Sequence, residues 1–153
     1  MNLWGDAVSI RSLREDYFET MLRARKGYSR VMEPICQQWD LTRNELDILL
    51  FLYNNPDFDR ASDVAARRGM AKSHVSLSVA TLESKGLLLR RPDPEDRRAV
   101  HLQLLGEAED IARQGREAQI AFFTKIYAGL TEEEIAVWIR AAEKVSANIA
   151  RLD

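Results

Sequence analysis

The sequence predicts a mainly α fold with one short two-stranded β ribbon inserted past its middle. Three observations predict it. Apolar residues recur in steps of three and four over most of the 153 residues, the period of a helix with one buried face. Between Leu87 and Leu105 the period changes: Val100, Leu102 and Leu104 alternate with His101 and Gln103, as on a strand. A charged, proline-bearing turn, Asp93-Pro94-Glu95-Asp96-Arg97-Arg98, separates the two apolar runs of that ribbon. Preceded by two helices joined by a tight turn (Ser62 to Leu87), the ribbon completes a helix-turn-helix with a β wing. Such a shape sets one helix in the major groove of DNA with a loop alongside.

The elements follow in order. Ile10, Leu13, Tyr17, Met21, Ala24, Tyr28, Val31 and Ile35 form the stripe of a long first helix. Pro34 within it predicts a kink or an early end near Arg30. Thr42-Arg43-Asn44-Glu45 is a capping box, with Leu41 and Leu46 in position for a hydrophobic staple. The helix it opens is apolar nearly all round and therefore buried, and Asn54-Asn55-Pro56 stops it. A short helix from about Ala61 to Arg68 ends at Gly69. The next begins near Lys72, turns Val75, Val79 and Leu82 inward, and ends at Gly86. After the ribbon come a helix with Ala108, Ile111, Ala112, Phe122, Phe123, Ile126 and Tyr127 on its stripe, and a last one. Gly115 interrupts the former at a cost of about 1 kcal/mol relative to alanine, which predicts a close helix contact there. The last opens at a second capping box, Thr131-Glu132-Glu133-Glu134, and carries Ile135, Trp138, Ile139, Ala142, Val145, Ile149 and Leu152.

Composition narrows the function. Hydrophobic residues are 46% and charged residues 30% of the chain, values of a globular protein with a real core. No apolar run approaches a membrane span, and no basic-then-apolar leader opens the sequence. The lone Cys36 cannot form an internal disulfide. Together these predict a cytoplasmic protein without a membrane partner. The net charge of −2 is unevenly spread: nine Lys and Arg face five Asp and Glu between Arg60 and His101, a local +4, leaving −6 elsewhere. A basic middle fits one DNA-facing surface; a plain solvated patch is the competing reading. The two histidines, His74 and His101, lie on different elements without a metal-ligand cluster, so no metal is expected. Ser73-His74 is a sequence neighbour pair, not a triad, and no glycine-rich phosphate loop occurs. No cofactor and no enzyme activity are expected.

In its order of parts the chain resembles the MarR family of winged-helix transcription regulators. The likeness rests on Leu41-Thr42, on Lys72-Ser73-His74-Val75-Ser76, on Leu82-Glu83-Ser84-Lys85-Gly86-Leu87, and most specifically on Asp-Pro-Glu-Asp-Arg-Arg at 93–98. The last contains the family's Asp-x-Arg wing signature as Asp96 and Arg98. The resemblance implies an obligate dimer that represses genes and releases DNA when a small ligand or an oxidant acts. Two departures stand out. Leu104-Leu105-Gly106 replaces the usual Leu-Thr, and Leu77 and Thr81 stand where family members often carry basic residues.

The site expectations follow. Ser73, His74 and Ser76 reach base edges or phosphates from the first turn of the recognition helix, with Ser73 as a simple cap in the competing reading. Lys72 contacts phosphate. Arg97 and Arg98 carry the wing into or beside the minor groove, while Asp96 and Arg98 also pair to shape the tip. Cys36 reads as a redox sensor only if a cation lies near it, and none does in sequence; a packed thiol is the plainer reading. Tyr17, Phe18, Tyr28, Trp39, Phe122, Phe123 and Tyr127 line either an effector pocket or the core, and no effector-binding residue is singled out. One domain spans 1–153, with 40–105 as the DNA-binding lobe and 1–39 and 106–153 as a helical dimerisation region. That region carries more apolar stripe than one chain covers, unless it folds back as a monomeric bundle. The whole reads as a homodimeric, ligand-responsive repressor on a pseudo-palindromic operator in double-stranded DNA. The alternative is a winged-helix scaffold that docks proteins and no longer binds DNA.

Overall fold

A computed structural model describes the backbone of residues 10–96 and 99–152, and the side chains of these from Tyr17 onward. Six helices and one ribbon follow in the order α1 (Ile10–Gln38), α2 (Arg43–Asn54), α3 (Ala61–Arg68), α4 (Lys72–Ser84), β1 (Leu88–Pro92), β2 (Val100–Leu104), α5 (Gly106–Ile126) and α6 (Glu132–Ile149). The chain divides into two compact units, one up to Gln119 and one from Ile120.

In the first unit α1 does not end near Arg30 as Pro34 suggested; it continues to Gln38. The reason is packing. Met32, Ile35 and Cys36 are buried on either side of the proline, whereas Arg30 and Pro34 are exposed. The Arg30 carbonyl that loses its amide partner therefore faces water, which lowers the cost of an internal proline. The helix stops instead at Asp40, whose φ of 50° reverses the chain. The Leu41 amide donates to the Cys36 carbonyl at 2.9 Å, and buried Leu41 and Cys36 complete the closing motif.

The capping box at Thr42 forms as expected: the Glu45 amide donates to the Thr42 hydroxyl and the Thr42 amide to the Glu45 carboxylate. From there α2 buries Leu46, Ile48, Leu49, Leu50, Phe51 and Leu52 and forms the centre of the core. Around it pack Val64 and Ala65 of α3, Val75, Val79 and Leu82 of α4, Leu88 and Leu102 of the ribbon, and Ala108, Ile111 and Ala112 of α5. Gly69 ends α3 with a φ of 61°, in the left-handed region that glycine enters without penalty. Despite the missing Leu-Thr cap, α5 starts at Gly106, with Glu107 and Glu109 favourably placed in its first turn.

Gly115 is where α5 meets the core: a Cβ built there lies 2.7 Å from Leu50 Cδ2. Leu50 is itself fully buried. Alanine normally stabilises a helix interior by about 1 kcal/mol over glycine, but overpacking a filled core costs about 1–3 kcal/mol. Gly115→Ala is accordingly expected to lower stability by about 1 kcal/mol, a fall of about 2–4 °C in Tm. A rise in Tm would show that Leu50 has room to yield.

The second unit is the end of α5, a turn through Gly129, and α6. Thr131 caps α6 through a complete capping box with Glu134. Phe123 packs against Phe122 and Tyr127 at centroid distances of 5.5 and 6.3 Å. No residue of α6 is buried; its stripe is exposed at Trp138, Ile139, Val145 and Ile149, as is Leu152 beyond its end.

Candidate nucleic-acid interface

The interface begins with what α4 leaves outside. Val75, Ser78, Val79 and Leu82 are buried, so Lys72, Ser73, His74 and Ser76 are all exposed at its start. The N-cap residue is Ala71, without a side-chain cap hydrogen bond. Ser73 therefore lies inside the first turn and is not the cap. Uncapped first-turn amides and the positive end of the helix dipole point out beside these side chains.

The ribbon runs beside α4. Its antiparallel register pairs Leu88 with Leu104, Arg90 with Leu102 and Pro92 with Val100. A groove of about 400 Å³ separates the two, with Ser62, Lys72, Ser76 and Arg90 on its walls and Val79 and Leu102 within. Not every cation counted in the sequence is free to face outward. The Lys85 ammonium turns to the buried Glu45 carboxylate at 3.3 Å and also donates to the Asp40 carbonyl. Arg90 lies 3.6 Å from Glu83, and Arg67 stacks over the Phe58 ring at 3.4 Å. Lys72 remains exposed on this side; Arg91, also exposed, lies on the other face of the ribbon with His101 and Gln103.

The wing tip is shaped by a residue that sequence reasoning did not single out. Asp93 Oδ1 accepts from the Glu95 and Asp96 amides at 2.8 and 2.9 Å. Backbone bonds between Asp93 and Ala99 and from Ala99 to Asp96 close the loop. The Asp96–Arg98 pair and both wing arginines, Arg97 and Arg98, lie outside the described residues. At the base of the tip, His101 bridges two carboxylates, with Nδ1 2.7 Å from Asp59 and Nε2 3.0 Å from Asp93; Arg60 adds a longer contact to Asp93 at 3.9 Å. The Leu102 amide donates to the Asp59 carbonyl at 2.7 Å. The wing is thus clamped to the segment leading into α3. An outward histidine on β2, eight residues past Asp93, was the available signal; Asp59 is distant in sequence and gave none.

The clamp sets charge. The hydrogen bond to His101, then the two backbone amides, hold Asp93 well below the usual carboxylate range. Asp93 first and Asp59 second push His101 above the ordinary histidine value. The sign follows from linkage. The contribution of Asp93 is complete above about pH 4 and is lost as pH falls through its depressed value. That of His101 is complete below about pH 6.5 and is lost as pH rises through its raised value. The clamp is therefore tightest in mildly acidic solution and loosens on the alkaline side. In an NMR titration His101 is expected to show a midpoint above 6.5 that drops in Asp93→Asn; an unchanged midpoint would remove Asp93 as the cause.

Cys36 is buried. Burial pushes its thiol pKa up, against the pull of Arg43, a cation that the local sequence did not reveal. This fits a packed thiol. Among the described residues no His, Cys, Asp and Glu group is arranged to hold a metal, and no helix is long and apolar enough to cross a membrane.

Residues 39–99, which span α2 to the wing, match the model of the MarR family. This winged helix is a MarR-family domain. The chain is 23% identical over 113 residues to the uncharacterized HTH-type transcriptional regulator YdgJ of Bacillus subtilis (strain 168), covering 74% of this chain and 68% of that one. The matched family and this relative are transcription regulators, not enzymes. Solved structures share the fold. S. aureus MepR in its DNA complex superposes with a TM-score of 0.74 at 19% identity, over 90% of this chain and 98% of that one. Bordetella bronchiseptica BpsR, whose DNA binding is regulated by 6-hydroxynicotinic acid, gives 0.66 at 19% identity, over 86% and 99%. The fold match extends well beyond residues 39–99 and takes in helices that flank the MarR-family domain.

Proposed function

We propose that this chain is a sequence-specific DNA-binding transcription regulator, working as a homodimer on a pseudo-palindromic operator and most simply as a ligand-responsive repressor. The observation that carries the reading is the exposed, uncapped start of α4, with Lys72, Ser73, His74 and Ser76 beside a groove that Arg90 shares. In this reading α4 enters the major groove, Ser73, His74 and Ser76 meet base edges, and Lys72 meets phosphate. Arg97 and Arg98 extend the contact from the wing, and Asp96 with Arg98 helps shape the tip. Residues 40–105 form the DNA-binding lobe, and 1–39 with 106–153 the dimerisation region. The MepR–DNA complex supports the docking mode.

Ligand response is supported by BpsR and by a cavity of about 420 Å³ whose wall includes Arg25, Tyr28, Arg43, Arg68 and His74. An occupant there touches the reading helix itself. It releases DNA to the extent that it binds one dimer geometry better than the other.

A two-fold dimer reads two half-sites about one helical turn apart. Duplexes carrying both half-sites are expected to bind two chains together, and inserting five base pairs between the half-sites is expected to abolish tight binding. Equal binding to the spaced and unspaced duplexes, measured by gel shift, would overturn the dimeric reading. The nearly uncharged middle of α4 favours the protein-docking scaffold as the second reading. In that case the chain selects no DNA sequence.

A further inference from the structure

The outward face of α4 is centred on a leucine. Steps of three and four from Leu77 reach Ser73, His74, Ala80 and Thr81. Leu77 is 69% exposed, more than any other large hydrophobic among the described residues except Leu152 near the C-terminus. The buried Val75, Val79 and Leu82 fix the rotation of the helix, so this exposure belongs to the fold and is not a matter of side-chain choice. Beyond Leu77 the face offers little hydrogen-bonding capacity. The Thr81 hydroxyl donates back to the Leu77 carbonyl at 3.1 Å, and the Ser84 hydroxyl to the Thr81 carbonyl at 2.7 Å. No charged side chain occupies positions 77, 80, 81 or 84.

A major groove presents donors, acceptors and a single apolar feature, the 5-methyl group of thymine. A polar, cationic first turn followed by an apolar second turn matches a duplex that offers polar edges and phosphate at one end and methyl groups at the next. We infer that Leu77 is a specificity-determining residue that selects a thymine, by contact with its 5-methyl group, in each operator half-site. The inference rests on the DNA-binding reading above and adds what that reading leaves open, the chemistry of one base in the operator.

The test uses the full chain. A binding sequence is selected from random duplexes, and each thymine in it is then replaced singly by deoxyuridine, which removes only the methyl. Burial of one methyl corresponds to about fourfold in affinity, so loss at both half-sites is expected to cost about fifteenfold. In Leu77→Ala, which alters an exposed side chain and should keep the wild-type Tm, affinity for the thymine duplex is expected to fall similarly. The variant should no longer distinguish thymine from uracil. Wild-type binding indifferent to uracil at every position, or a Leu77→Ala variant that still distinguishes the two, would overturn the inference. The regulator reading would survive that result if the selected duplex is bound in preference to scrambled DNA. Selection that enriches no sequence, as a protein-docking face would give, would overturn both.

Discussion

Replacing Trp138 and Val145 with glutamate is expected to yield a folded protein that sediments as a monomer. The two residues are seven apart, so they share a helix face, and both are about half exposed in the single chain, at 46% and 50%. Every buried hydrophobic of the described core lies at or before Ala112, so neither substitution replaces one of them. A two-fold interface uses each position twice. At about 1.5–3 kcal/mol for each large apolar side chain buried, four such losses remove on the order of 6–12 kcal/mol from association, before the cost of burying the new carboxylates. No dimer of ordinary interface size survives that. Operator affinity should collapse with it, because a monomer carries one reading helix. Analytical ultracentrifugation decides the matter: the wild type is expected to sediment as a dimer, and a variant that does the same would place the contact elsewhere.

The double substitution Arg97→Ala, Arg98→Ala carries the second large effect. A dimer presents two wings, so four guanidinium groups are lost together. Roughly 1 kcal/mol each corresponds to a loss of roughly 1000-fold in affinity. If these arginines meet phosphates, the slope of log K against log salt should shrink by about 0.9 for each contact removed. Stability should hardly change, since the tip is closed by Asp93 and by backbone bonds to Ala99. Unchanged affinity together with an unchanged slope would remove the wing from the DNA interface and leave the docking scaffold as the better reading.

How much of this was legible in the sequence depended on how local the cause was. The capping boxes at Thr42 and Thr131, the glycines at 69 and 86, and the Val75, Val79, Leu82 stripe act within a few residues, and the structure contains each as expected. Pro34 does not end α1 early, because its local cost is offset by burial of Met32, Ile35 and Cys36, which depends on α2. Charge was read less well than pattern. Lys85 counts as a surface cation in sequence but is spent on Glu45, and Arg43 modulates Cys36 from seven positions away. The His101 clamp was missed for the same reason: its partners come from the wing and from the segment before α3, brought together only by the ribbon register. The exposure of Leu77 follows from the same stripe that buries Val75 and Val79. It was read as a missing cation rather than as a contact in its own right.

The decisive experiment is fluorescence anisotropy of the purified protein on the DNA upstream of its own gene and on a scrambled duplex of equal length, over a range of salt. A regulator of the kind proposed is expected to bind the upstream duplex more tightly, with log K falling linearly against log salt at about −0.9 per phosphate neutralised. Weak binding, equal on the two duplexes at every salt concentration, would contradict it.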